Sequence, residues 1–496
     1  MLTLPQILKE GYEKTPGAVA ISCGSIQLDY ARLFRDVERI AARLFGLGVG
    51  PRDVAAVDID KPVSHWLITL ALMRVGAVSV SLTNNCQAEL ETLPSVSAIV
   101  TGPQGRDQIM PHIRRIAIGP DWLQHPVEET GAIPGVAEAQ MTAGRICFTS
   151  GTSGRPKAVL LDAGILENRL SGTAKRSRID ARSVLWCGLG PDTAYGFTAT
   201  LAVWLAGGTI VLARGGSGSF AEFSATKVNL LLASPAAMQP LIGDASMADL
   251  PPLDATTIIA GGRLTVALRD EIRRRVCQRV CVAYGSSEAG GITLGDATHL
   301  DGHPGHVGQA FSDVQVEIVD DAGKVLPIGS KGLVRVRTNS TATGYMTDAG
   351  ETRRCFQDGW FLSGDIAQMT QDSTIIILGR PANVLNLGGV KIPADDIEEK
   401  IRDLGDVDDV CAILLPPEHA DHRLGIVVVA GQARRQTLGE RIRAKLPTVP
   451  GFQLFMMDSL PRGSMGKINR EVLAQSVAED IGASRSRRGT TLIGRF

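Results

Sequence analysis

Apolar positions recur with different periods along the chain, and the changes of period mark its organisation. Over residues 30–49, Tyr30, Leu33, Val37, Ile40 and Leu44 are spaced by threes and fours, which predicts an amphipathic helix lying on a sheet. From about 145 to 284, short β-rich runs at 184–187, 209–213, 228–232, 256–260 and 279–283 alternate with helical patterns such as 264–276. That alternation predicts a parallel sheet covered by helices, with binding sites at strand C-termini. Runs at 314–320, 332–338 and 374–378 have turn signals but no helix between them, so a β-rich subdomain follows. A helix at 394–404, strands at 410–415 and 425–430 and a helix at 438–446 then predict a small α+β unit. The last stretch, 483–496, holds four arginines among small polar residues and reads as a frayed tail.

Length and charge narrow the possibilities. A chain of 496 residues exceeds one compact core and predicts two to four domains. The net charge of −1, from 51 basic and 52 acidic residues, argues against a nucleic-acid binder and for small-molecule or protein partners. The most apolar window, 66–82, is interrupted by Arg74 and is short for a bilayer, so no membrane anchor is expected. Residues 1–10 lack a basic-then-apolar secretory pattern. Eight cysteines without a CxxC pair suit reduced thiols, and the expected location is cytoplasmic.

Four segments carry chemistry. Behind the apolar run Ile146-Cys147-Phe148 stands Thr149-Ser150-Gly151-Thr152-Ser153-Gly154-Arg155-Pro156-Lys157. Its hydroxyls and glycines leave backbone N–H groups open to anionic oxygens, and Lys157 adds a positive charge. A Walker loop needs a hydroxyl residue after its lysine, whereas Ala158 stands here, so a P-loop NTPase is not expected. The second segment, Tyr284-Gly285-Ser286-Ser287-Glu288, places an acid after a strand, where it suits Mg²⁺ on a nucleotide. With Ala289 in the fifth place it narrowly misses the hydrolase nucleophile elbow. The third, Ser363-Gly364-Asp365, offers a carboxylate to ribose hydroxyls but is also ordinary turn chemistry. The fourth presents Lys467 on a Gly-rich turn before a helix, where an ammonium can neutralise charge between a carboxylate and a phosphate or simply be solvated.

Together these segments resemble the adenylate-forming superfamily of acyl-CoA synthetases, peptide-synthetase adenylation domains and luciferases. The motifs stand in that family's order: TSGTSGRPK at 149–157, YGSSE at 284–288, SGD at 363–365, GR at 379–380 and GK at 466–467. The resemblance implies an α/β fold with a large AMP-binding domain over 1–379, its β-rich subdomain at about 305–379, a hinge at 380–382, a small mobile α+β domain over 383–482 and a flexible tail at 483–496. It implies ATP, Mg²⁺ and CoA as cofactor and co-substrates, with a carrier-protein phosphopantetheine as the alternative thiol. By the same resemblance, Thr149, Ser150, Gly151, Thr152, Ser153, Gly154 and Lys157 hold the β- and γ-phosphates, and Gly261, Gly262 and Tyr284 flank the adenine. Ser287 and Glu288 meet the α-phosphate and Mg²⁺, Asp365 the ribose, and Arg380 the ribose or phosphate, while Lys467 bridges carboxylate and α-phosphate. Tyr195, Gly196 and Gly285 are implied around the acyl group.

Where the family usually places Asp or Lys two residues after the hinge arginine, this chain has Ala382, which predicts altered thiol-step kinetics and intact adenylation. Asp192 lies near the acyl segment in a context unlike that of amino-acid-activating members, so an acid without an α-amino group is expected. Gly302, Pro304 and Gly305 argue against a helical metal site at His299, His303 and His306. Cys277 and Cys281, at helical spacing, read as small buried hydrophobes.

Overall fold

The helix that the spacing of threes and fours predicts forms as Tyr30–Gly46. Asp29 caps it by accepting from the Arg32 amide at 2.7 Å, and Tyr30, Leu33, Val37, Ile40 and Leu44 make up its buried stripe. Burying each large side chain of that stripe stabilises the fold by about 1.5–3 kcal/mol. The most apolar window becomes the helix Pro62–Arg74, buried continuously from His65 to Met73. Its Trp66 stacks on Phe197 and meets Trp204 edge-on, with ring centroids 5.8 and 5.2 Å away. The window is core, and among the described residues no helix is long and apolar enough to cross a membrane.

These elements come from a computed structural model that describes residues 4–83, 86–103, 112–119, 122, 141–150, 156–213, 218–244, 250–380, 383–387, 390–402, 404, 407–415, 424–431, 435–447, 449, 451–462, 468–482 and 491–495. Two large sheets share one design. In the first, Arg115–Ala117, Ala98–Thr101, Val54–Asp58, Val78–Ser81 and Gly144–Ser150 run parallel, and Pro156–Leu161 turns back along the edge. In the second, Val19–Cys23, Thr209–Val211, Val184–Cys187, Leu230–Ala233, Leu253–Ile259 and Cys277–Ser286 are parallel, with antiparallel Gly290–Asp296 and Ile26–Asp29 at its edges. Helices from both units fill the space between the sheets in one continuous core. The two hairpins Gly144–Leu161 and Cys277–Asp296 therefore end in turns that leave the C-terminal ends of parallel strands, where helix-covered sheets offer their clefts.

The predicted β-rich unit is an antiparallel sheet of His306–Gln309, Thr374–Gly379, Trp360–Met369, Lys331–Arg337 and Gln315–Val319, with Phe356–Gln357 against Trp360–Met369. The last unit packs Ala394–Arg402 and Arg435–Lys445 on the strands Asp409–Leu414, Leu424–Val429 and Phe452–Met456 around its own apolar core. Of the expected tail at 483–496, the described residues Thr491–Arg495 correct the expectation: they form a strand, antiparallel to Phe452–Met456. Its pairing covers the edge of a strand whose five residues are all buried, an edge that would otherwise be a template for other chains. Cys277 and Cys281 also depart from their helical spacing, since both lie in the strand Cys277–Ser286. All eight cysteines are free.

Candidate active site

The turn after Cys277–Ser286 is held from below. The Ala289 amide bonds Ser286 Oγ at 3.0 Å and tightens the turn, so the backbone carbonyls of Ser287 and Glu288 need donors of their own. Arg169, from the helix Ala163–Arg176, supplies them: its Nη2 donates to Ser287 O at 2.9 Å and Glu288 O at 3.0 Å. The same guanidinium bonds Ser340 O through Nε and Nη2 at 3.1 and 2.8 Å. Arg169 is only 4% exposed, and burial pulls its guanidinium down to about 10, with the nearby Cys147 and Glu288 acting in the opposite direction. This role is not legible from residue type, because an arginine among helical polar positions reads as solvated.

Glu288 is 7% exposed, and its Oε1 accepts from the Tyr345 hydroxyl at 2.9 Å. The other carboxylate oxygen has no hydrogen-bond partner among the described residues. One free oxygen on a half-committed carboxylate fits Mg²⁺, which takes one or two carboxylates and completes its shell with phosphate oxygens and water. An all-protein metal cage is absent: among the described residues no group of three or more His, Cys, Asp or Glu can hold a metal, and that includes His299, His303 and His306. His299 and His306 instead stack, with centroids 5.0 Å apart.

On the other hairpin, 151–155 lie outside the described residues, as does the Ser150 side chain. Thr149 and Lys157 are cross-strand partners at the mouth of the turn. Lys157 is not an open cation. Its Nζ is 2.5 Å from Glu351 Oε2, it lies 5.0 Å from the centre of the Tyr345 ring, and the residue is 8% exposed. Arg354 and Lys157 together pull the Glu351 carboxyl down to about 2. Lys157, expected at the β- and γ-phosphates, is held here by a carboxylate that its local sequence does not contain.

A strap joins the two hairpins. Within 340–346, Ser340 O meets Arg169, the Ala342 amide donates to Glu288 O at 2.7 Å, Tyr345 bridges Val159, and the Met346 amide donates to Ala158 O at 2.9 Å. Tyr345 thereby touches Lys157 with its ring and Glu288 with its hydroxyl.

Asp365 of the third segment and Arg380 converge beside Tyr284. Gly364 takes φ +74°, a conformation that glycine adopts without a Cβ penalty, and this lets the Asp365 amide bond Ser363 Oγ at 3.1 Å. Asp365 Oδ2 accepts from the Tyr284 hydroxyl at 2.8 Å, and Oδ1 from Arg380 Nε at 2.6 Å. Burial, then the neighbouring Asp365 charge, raise the Tyr284 phenol well above its usual range. Ser-Gly-Asp is therefore turn chemistry and a carboxylate anchor at once.

A cavity open to solvent on one side lies between the Ala163–Arg176 helix and the Cys277–Asp296 hairpin. Tyr195, Gly261, Tyr284, Gly285 and Ser287 line it. Gly262 does not, and a Cβ there would meet the Pro235 ring at 3.1 Å. Gly196 is also corrected. It sits in the first turn of the helix Ala194–Leu205, donating to the Thr193 cap at 3.0 Å, where a Cβ would meet Gly190 O at 2.2 Å. Its smallness serves close packing behind the wall. Lys467 and Ala382 lie outside the described residues, so the structure gives no geometry for either.

A family model described as AMP-binding enzyme matches residues 8–93 and 114–346, well over half of the chain. The protein belongs to the AMP-binding enzyme family. A 2-hydroxy-7-methoxy-5-methyl-1-naphthoate–CoA ligase of Streptomyces carzinostaticus is 27% identical over 94% of this chain and 91% of its own length. A salicyl-AMP ligase/salicyl-S-ArCP synthetase of Mycobacterium tuberculosis is 24% identical over 98% and 93%. Among solved structures, o-succinylbenzoate CoA synthetase from Bacillus subtilis with its acyl-adenylate intermediate superposes with a TM-score of 0.80 at 19% identity, covering 98% of this chain and 99% of that one. The fold is that of the adenylate-forming enzymes.

Proposed function

We propose that this protein is an acid–thiol ligase that activates a carboxylic acid with ATP as an acyl-adenylate, releases pyrophosphate, and passes the acyl group to CoA. The observation that carries this reading is the convergence of Asp365 and Arg380 on Tyr284, which together with Ser287 of the braced turn lines the cavity, from motifs up to 96 residues apart in the chain. The CoA-ligase relative supports CoA as acceptor, and the salicyl-AMP ligase relative keeps a carrier-protein thiol as the alternative.

In the first half-reaction a carboxylate oxygen attacks the α-phosphorus and the bond to the β-phosphate bridging oxygen breaks. Negative charge accumulates there, so fixed donors and cations must meet it without reorganising. Asp365 is oriented by Tyr284 and Arg380 to accept from ribose hydroxyls. Ser287 stands on a turn whose carbonyls are tied back by Arg169, which leaves its outward groups for the nucleotide. Glu288 would hold Mg²⁺, which when bound supplies charge neutralisation at the phosphates. In the second half-reaction the thiol sulfur attacks the acyl carbonyl, AMP leaves, and the thiol proton is given up to solvent. The cavity shields the mixed anhydride from water in between.

Lys467 takes its role from the family pattern, and it separates the half-reactions experimentally. Lys467→Ala should lower carboxylate-dependent ATP–pyrophosphate exchange by on the order of 10²–10³-fold, the size of one lost charge-stabilising group. Transfer from preformed acyl-adenylate to CoA should persist. Failure of every carboxylate to support exchange by the unaltered protein would overturn the ligase reading.

A further inference from the structure

The acyl cavity has one polar wall and one bare wall. Arg169, Thr173, Arg176 and Ser177 follow one face of the Ala163–Arg176 helix into its cap, at offsets of four, seven and eight residues. At the helical rise that stripe is about 12 Å long. Opposite it, Gly285, Gly290 and Gly291 present backbone without side chains, and at Gly291 a Cβ would reach to 3.5 Å from Arg176 Nη1 and 3.8 Å from the Phe311 ring. Phe311 and Tyr195 add aromatic surface.

The charges along the stripe are settled, but the hydroxyls are not. Arg176 gives both its Nη2 contacts to Asp313 at 2.6 Å and lies over Phe311 at 4.1 Å, so its charge is neutralised at the rim. Thr173, 9% exposed, has no side-chain hydrogen-bond partner among the described residues. Ser177 and Tyr195 line the same cavity, and burial raises the Tyr195 phenol to about 12, so that phenol stays neutral and able to donate. No aspartate or glutamate is among the described lining residues, which leaves a substrate ammonium without a counter-charge.

We propose that the cavity selects a planar aromatic carboxylic acid of bicyclic length with a hydroxyl on the ring edge that faces Thr173 and Ser177. A flat ring fills the gap against the glycine wall. The ring hydroxyl satisfies Thr173, which an alkyl chain or unsubstituted ring would bury unpaired. The length of the stripe exceeds what a lone benzoate ring reaches. This inference rests on the ligase reading above.

The test measures pyrophosphate exchange by the full chain with 6-hydroxy-2-naphthoate, 2-naphthoate, benzoate, octanoate and phenylalanine, beside acid binding followed by tryptophan fluorescence. The expected kcat/KM for 6-hydroxy-2-naphthoate is about tenfold above that for 2-naphthoate, the worth of one good hydrogen bond, with octanoate and phenylalanine below both. Thr173→Val should shrink that ratio to within about threefold, because its isosteric methyl cannot bond the substrate hydroxyl. Gly291→Val should shift preference toward benzoate by narrowing the slot. Preference for octanoate or phenylalanine, an intact ratio in Thr173→Val, or acids that neither bind nor exchange would each overturn the proposal. Exchange confined to non-aromatic acids leaves the ligase reading standing, whereas aryl acids that bind and never exchange refute the ligase reading and uphold the pocket.

Discussion

The hairpins Gly144–Leu161 and Cys277–Asp296 have the same construction, a parallel strand turning into an antiparallel edge, yet they are secured differently. The second is held through its backbone by Arg169, buried and bonded to carbonyls of Ser287, Glu288 and Ser340. The first takes a backbone bond from the strap at Ala158 O, while the mouth of its turn is tied by a side chain, Lys157, paired with Glu351 at 25% side-chain exposure. A backbone brace fixes where a turn lies whatever side chains it carries. A side-chain pair can exchange its partner for a ligand's anionic oxygen. On the proposed function, the rigid surface would serve the attacking carboxylate and the adaptable one the departing phosphate.

Removing the backbone brace should have the largest effect. Arg169→Met takes the guanidinium from the carbonyls of Ser287 and Ser340 and leaves Glu288 O its Ala342 amide alone, which should lower stability by about 2–3 kcal/mol in urea unfolding and exchange activity by on the order of a hundredfold through misplacement of the turn. A variant with wild-type stability would show that the turn holds itself.

The side-chain pair should be weaker and sensitive to acid. Glu351 is held down at about 2 by Arg354 and Lys157, below its ordinary value of 4.5. A carboxyl depressed in the fold stabilises it fully above the unfolded value, so this contribution is present above pH 4.5 and is lost as pH falls towards 2. Glu351→Gln should lower the melting temperature at neutral pH by about 1–3 °C and flatten its decline in that acid window. An unchanged acid profile, followed by calorimetry, would remove the pair from the account.

The smallest effect should come from the contact between the large unit and the helix Ala394–Arg402. Arg263 reaches Asp396 at 3.3 Å and Glu399 at 3.0 Å, with side chains partly open to water. Arg263→Gln should change unfolding stability by less than about 1 kcal/mol, and added salt should erase the difference. A larger loss would mean that this contact secures the two units as firmly as Arg169 secures its turn.

Sequence periodicity disclosed the elements well because the helices and strands bury one face or both. Tyr30 to Leu44 and the runs before Tyr284 are cases in point. The motifs located Tyr284, Glu288, Asp365 and Arg380 because each chemistry needs its residue type in a local frame. What stayed hidden were partners across the chain: Glu351 lies 194 residues from Lys157, and Arg169 lies 119 residues from Glu288. Gly196 read as pocket because adjacency to Tyr195 cannot tell the two faces of a helix apart. The strand Thr491–Arg495 was masked by its arginine-rich approach, although Thr491, Leu492 and Ile493 are strand-forming residues that carried a readable signal.

The strap at 340–346 bears on how portable this site is. Anyone grafting the two signature hairpins into another scaffold would carry over every familiar motif letter and still lose the crossbar that bonds Glu288 O at one end and Ala158 O at the other. The smallest transplantable unit includes Ser340 to Met346 and the helix bearing Arg169, so a catalogue of motifs understates the size of the part it names.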